Sequence, residues 1–299
     1  MFLFFIPLLF TEASSKYDIY LAKKSEAEAT VNSTNIPPSD LFRSVNGNLT
    51  EAAKTFFKIS YDQKNIYIKV HCEENDLKNI KSVIKEHDGH VFTDDCVELF
   101  IIPAKKGNDY FQFVSNSEGV KFEAKKQNGK FTKEWDGDWK VIPNKGNDFW
   151  ELNIIISLKS LNAGEIKPGD EWKINICRER YCGGRFELYT WAYTKNFHDA
   201  SKFGTLVFDD LSVKLRRDFN SVADNINKWR KQIKASLKKE DNYLNKFKNL
   251  EGIYNTINDA LQKKNITLSG FISLKTSLDL LPAEYETLAW DIEIEKLFK

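Results

Sequence analysis

The sequence predicts an α+β chain: an N-terminal antiparallel β-sandwich followed by a C-terminal α-helical hairpin or bundle. Two observations carry this reading. Up to about residue 210, short alternating apolar runs are divided by polar turns; beyond it, apolar residues recur every three to four positions. A chain of 299 residues with 41% apolar content can bury one large domain or two modest ones. The expected division is a leader over 1–15, a sandwich over 16–210 and a helical region over 211–299.

Met1 to Phe10 is almost wholly apolar and runs into Thr11-Glu12-Ala13-Ser14-Ser15. This reads as the apolar stretch and cleavage region of a secretory signal, although no basic residues precede it. Ten residues are too few to span a bilayer, and the sequence holds no transmembrane segment. The expected location is secreted or periplasmic.

Ile66 to Cys72 alternates cleanly, as do Phe111 to Phe113, Trp150 to Ile154, Trp172 to Ile176 and Phe186 to Trp191. Between them lie turn clusters such as Gln127-Asn128-Gly129, Asn144-Lys145-Gly146-Asn147 and Lys167-Pro168-Gly169-Asp170. Many short strands with Gly and Asn turns predict an antiparallel sandwich. One short helix fits over 76–85. Downstream, Phe219, Val222, Ile226, Trp229, Ile233 and Leu237, then Leu244, Phe247, Leu250, Tyr254, Ile257 and Leu261, trace an amphipathic helix that Lys238 to Asn242 could break into a hairpin. Phe271, Leu274, Leu278 and Leu281 make another stripe, which Pro282 is expected to end or kink before a last short segment through Leu288, Ile292 and Leu297.

A net charge of +1 gives no reason to expect nucleic acid. The charge is uneven: residues 211–250 hold 11 basic and 4 acidic side chains, and 279–299 hold 2 and 6. The two stretches could pair with each other, or the basic one could face an acidic partner. Cys72, Cys96, Cys177 and Cys182 permit two disulfides in an exported protein, but strand parity and spacing single out no pair, and buried thiols explain them equally well.

The segment Phe92-Thr93-Asp94-Asp95-Cys96-Val97-Glu98-Leu99-Phe100-Ile101 is the most informative. Two carboxylates close a loop, and a strand follows with Glu98 between apolar neighbours. A carboxylate on a buried or cleft-lining face is costly unless something uses it. Further blocks accompany it in order: Tyr61-Asp62 with Ile66-Tyr67-Ile68, Tyr110 to Asn116 with Gly119, Trp150-Glu151, Trp172 to Arg178, and Phe197 to Leu206.

In this order the blocks resemble family 9 carbohydrate-binding modules, and the wider group of sandwich domains called DOMON-like, over roughly residues 36–209. The helical region lies outside the resemblance. The resemblance implies non-catalytic binding of an oligo- or polysaccharide, with Phe92 and Phe197 clamping a sugar ring. Glu98 would accept hydrogen bonds from sugar hydroxyls, and Asn116 would add a polar contact. Both clamp positions are usually Trp in the family. Val114 stands where an Arg is expected, and Cys177 where a Gln reaches the ligand. Asp94 and Asp95 could hold a structural calcium, as family members often do; Glu86-His87-Asp88 is open to the same reading, as are solvated turn acids at each place. No other cofactor is expected: haem-binding DOMON-like proteins use a Met and a His, and Met1 is the single methionine.

No G-x-S-x-G, H-E-x-x-H or P-loop motif occurs, and Glu98 with Asp95 is the one carboxylate pair worth nominating for glycoside chemistry. The expected function is an exported carbohydrate binder. The alternative is a structural or interaction protein whose sandwich has lost sugar binding and whose residues 211–299 self-associate or dock a partner. Solvent-facing, parallel Phe92 and Phe197 favour the first; buried rings favour the second.

Overall fold

The computed structural model describes residues 18–25, 36–45, 53–104, 107–184, 186–237 and 242–298; the expected leader lies outside them. The alternating runs become strands: β1 (Ile19–Lys24), β2 (Arg43–Ser44), β3 (Thr55–Tyr61), β4 (Asn65–Glu73), β5 (Cys96–Ile102), β6 (Tyr110–Asn116), β7 (Lys121–Gln127), β8 (Lys130–Thr132), β9 (Trp139–Lys145), β10 (Phe149–Ser157), β11 (Glu171–Arg180), β12 (Glu187–Thr190) and β13 (Gly204–Phe208). Three helices follow: α1 (Leu211–Ser236), α2 (Leu244–Leu261) and α3 (Leu268–Leu297).

The strands form one curled sheet in the order β8-β7-β6-β5-β11-β13-β1-β3-β4-β10-β9, with β12 and β2 alongside β11. The curl gives two layers joined through β1, whose first residues pair with β13 and whose last pair with β3, both parallel; the remaining pairings are antiparallel. Side chains of period two fill the space between the layers. Ile59, Ile68, Trp150 and Leu152 from one layer meet Val97, Leu99, Phe113, Ile174 and Ile176 from the other. Gly204 sits where a Cβ would come within 2.5 Å of the Trp191 ring and 2.8 Å of the Asp18 carbonyl. The Phe203-Gly204 step therefore has room for glycine alone.

Two expectations about helices are corrected. Residues 76–85 hold a single 3-10 turn, Leu77–Asn79, and then run without regular structure. The amides of Lys81, Val83 and Ile84 donate instead to the carboxylates of Asp95 and Asp94, which takes them out of any helical ladder. Nor does Pro282 end its helix: α3 runs unbroken for 30 residues. Leu278, Leu281, Tyr285 and Leu288 are buried along it, and that burial outweighs the one hydrogen bond that proline removes. Elsewhere the stripes behave as read. α1 stops at Ser236 and α2 starts at Leu244, and residues 238–241 lie outside those described.

The helices fold back on the sheet, since Val207 of β13 is fully buried in the helical core and Ile19 and Leu21 of β1 lie against it. Lys214 of α1 bridges Glu171 of β11 at 2.6 Å, and the Asp210 carboxylate caps α1 by accepting from Ser212 and Val213. Arg230 of α1 and Tyr285 of α3 both donate to Glu251 of α2. The Arg230 hydrogen bonds hold that carboxyl down at about 2. The basic stretch thus finds its main acid in α2; the acidic end contributes Glu293, which accepts from Ser236, and Asp291, 3.7 Å from Lys246.

Candidate functional site

The outer face of β5, β6, β7 and β11 builds the site. On β5, Val97, Leu99 and Ile101 point into the core, so Cys96, Glu98, Phe100 and Ile102 point outward. The register sets Cys177 opposite Glu98 on one side and Val114 opposite it on the other. Gln112 on β6, Phe122 and Lys126 on β7, and Glu179 on β11 share this outward face. With Phe92, Tyr110, Phe131, Lys133 and His198 they line a cleft of about 510 Å³.

Glu98 is almost fully buried at the cleft floor and accepts from Gln112 Nε2 at 2.8 Å. The other end of that amide, Gln112 Oε1, is buried with no hydrogen-bond partner. A buried acceptor without a donor is a cost that a ligand hydroxyl would remove. Glu179 stands beside Glu98. Burial, and then the hydrogen bond and charge of Glu98, push its carboxyl up to about 9, so at neutral pH it keeps its proton. Tyr110 Oη lies 2.7 Å from His198 Nδ1. Burial holds His198 below the usual imidazole range and, together with the Glu98 charge, pushes Tyr110 up to about 12. The floor therefore carries the Glu98 and Glu179 acids side by side, with one open amide carbonyl, among aromatics. Lys126 and Lys133 stand over the Tyr110 and Phe122 rings.

The acid pair makes stability depend on pH. An unfolded Glu loses its proton near 4.5, while folded Glu179 keeps it to about 9. The raised value means this contribution is complete below the unfolded pKa and is lost as pH rises through the folded one. We expect Glu179→Gln to melt with the parent near pH 4 and above it from about pH 7 upward. Thermal melts across that range check this, and parallel curves at every pH would exclude the shared proton.

The structure brings only part of the sequence-predicted site together. Phe92 and Glu98 line the cleft. Phe197 does not: it packs with Phe100, Cys177 and Phe203 beneath the surface, and its neighbour His198 presents a ring to the cleft instead. The two-Phe clamp is corrected accordingly. Cys177 is fully buried against Thr190, and Asn116 is buried with its amide donating to Asp94 and to the Ile84 carbonyl. Neither reaches the cleft. All four cysteines are buried and free.

Asp94 and Asp95 are fully buried and do not face Glu98 as a catalytic pair. Asp94 accepts from the amides of Val83 and Ile84 and from Asn116; Asp95 accepts from those of Lys81, Tyr181 and Cys182. A calcium shell needs oxygens free to turn toward the ion, and here N–H donors already converge on them, so this pair does not fit calcium. Its work is to lock the loop that carries Phe92.

Gln112, Tyr110, Phe131, Glu179 and His198 were not singled out from the sequence. Glu179 was within reach: it lies two residues past Cys177, on the same strand face. The others depend on which strands pair.

The model of carbohydrate-binding family 9 matches residues 43–208, more than half of the chain and nearly all of the curled sheet. The chain belongs to carbohydrate-binding family 9. The match ends where the helices begin, so α1 to α3 lie outside the family. Among solved structures, the family 9 chain resembles a candidate carbohydrate-binding protein from Bacteroides uniformis at 20% identity and a TM-score of 0.53, over 64% of this chain and all of that one. It also aligns with a family 9 module from Caldicellulosiruptor kristjanssonii in complex with cellotriose (13% identity, TM-score 0.46, 64% of this chain, 93% of that one). The counterpart in complex with glucose aligns at 12% identity and a TM-score of 0.44, over 64% and 95%. No protein of curated function matches. The Bacteroides likeness concerns the fold alone.

Proposed function

We propose that this family 9 protein is an exported, non-catalytic carbohydrate-binding protein that holds a sugar in the cleft above Glu98. The observation that carries the reading is Gln112 Oε1, a buried acceptor with no partner, beside the Glu98 carboxylate in an aromatic-lined cleft. Two acceptors side by side suit vicinal sugar hydroxyls, and a carboxylate gives the stronger, charge-assisted bond. Phe92 and the well-exposed Phe131 offer ring faces to the C–H side of a pyranose, in place of the Phe92–Phe197 pair. Export rests on the apolar N-terminal stretch, and no helix among the described residues is long and apolar enough to cross a membrane.

The non-catalytic reading is supported by the family match, which is to a carbohydrate-binding family.

Calorimetric titration of the full chain with xylo-, cello- and manno-oligosaccharides tests the reading, with Phe92→Ala and Phe131→Ala alongside. We expect saturable binding to one series and at least tenfold weaker binding in both variants. No heat from a folded sample with any series would move the function to the helical region. A docking or self-association role there is a second reading, favoured by the burial of Phe197 and by the exposed Trp290, Ile294, Leu297 and Phe298 at the end of α3. Sedimentation of the chain at several concentrations tests it.

A further inference from the structure

Glu123 of β7 turns to the opposite face from the cleft. It is paired with Phe113 across β6 and is fully buried. Its carboxylate meets His87 Nε2 at 3.0 Å and the Gly137 amide at 3.4 Å, and no Lys or Arg among the described residues forms an ion pair with it. Asp136, on the loop before β9, brings a second carboxylate, so that one donor atom each from His87, Glu123 and Asp136 lies within 4.8 Å of the others. Asp88 adds a third acid 3.6 Å from the same imidazole nitrogen.

Buried Glu123 meets no Lys or Arg among the described residues, and a cation beside it would offset the cost of holding a carboxyl there. We propose that His87, Glu123 and Asp136 form a site for a transition-metal dication, Zn²⁺ in the first place. An imidazole nitrogen with two carboxylate oxygens suits Zn²⁺ better than Ca²⁺, which prefers an all-oxygen shell. Bonds of about 2.0–2.2 Å put ligands across one ion about 3–4 Å apart, and a water completes a tetrahedron; here His87 Nε2 lies 3.0 Å from Glu123, and all three donor atoms lie within 4.8 Å of one another. His87 and Asp136 lie on separate loops, and β7 carries Glu123 between them. One ion would staple both loops to the sheet beside the cleft, since Phe92 follows the first loop and Lys133 begins the second.

The test uses untagged full-length protein stripped with a chelator, titrated with ZnCl₂ by calorimetry and with Co²⁺ by visible absorption. We expect one Zn²⁺ per chain, a higher melting temperature with the metal, and at least tenfold weaker binding in both His87→Ala and Asp136→Asn. Both side chains are exposed, so these variants keep the fold, and circular dichroism verifies it. Cys96→Ser should bind as the parent does; this control matters because Cys96, Glu98 and Glu179 also converge. No saturable Zn²⁺ binding, unchanged affinity in both variants, loss of binding in Cys96→Ser, or preference for Ca²⁺ over Zn²⁺ would each overturn the site. None of these outcomes depends on whether the cleft binds a sugar.

Discussion

Replacing Glu98 by Gln is expected to weaken sugar binding by about ten- to a hundredfold, the largest effect of any single change in the cleft. The size follows from the bond: a hydrogen bond to a charged group contributes about 1.5–3 kcal/mol net, and each 1.4 kcal/mol is tenfold. Gln keeps the shape and can still face the Gln112 amide, so the loss isolates the charge. A second signature accompanies the first. Without Glu98 beside it, Glu179 loses two of the influences that hold it near 9 and should titrate closer to the ordinary carboxyl range. Calorimetry reads the affinity, and side-chain carbonyl NMR shifts against pH read the titration. Unchanged affinity would remove Glu98 from the site. Unchanged titration of Glu179 would show that burial alone sustains its proton.

The second large effect lies in the core. Arg178 of β11 is fully buried; it donates to Glu74 at 3.1 Å, to the Glu73 carbonyl and to Thr55, and lies over the Trp150 ring. Arg180 grips the same Glu74 at 2.7 Å and reaches out to Glu187 at 2.6 Å. Glu74→Gln leaves a buried guanidinium without its counter-charge, and breaking such a pair from one side costs about 3–5 kcal/mol. Glu187→Gln, at the exposed end of the same network, should cost less than about 1 kcal/mol. Urea unfolding of the two variants measures the contrast, and similar midpoints would mean that Arg178 needs no charge. Burial works to raise the Glu74 carboxyl, but the hydrogen bonds and charges of Arg180 and Arg178 outweigh it and leave it below the usual range. A depressed folded value means this stabilisation is present above the unfolded pKa of about 4.5 and fades as pH falls through the folded one.

Period-two and period-3.6 patterning were local signals, so the strand-rich first part, the helical second part and a strand face that carries the Glu98 acid could all be read from the chain alone. So could the family, because Phe92 to Ile101 and Phe197 to Leu206 keep their order. Tertiary structure decided the rest wherever the partner lay far away in sequence. Glu179 meets Glu98 because Cys177 pairs with Glu98 across 79 positions, a register no local pattern encodes. His198 rather than Phe197 lines the cleft because Phe197 fills a pocket already formed by Phe100, Cys177 and Phe203. Asp94 and Asp95 became loop locks because distant amides from 81–84 and 181–182 converged on them. Pro282 stayed inside α3 because burial against α1 and α2 outweighed the one bond it lacks. Composition and periodicity determine which face of an element is apolar; what that face meets, and hence which polar atoms are left open for a ligand, is settled only when non-local strands and helices close around it.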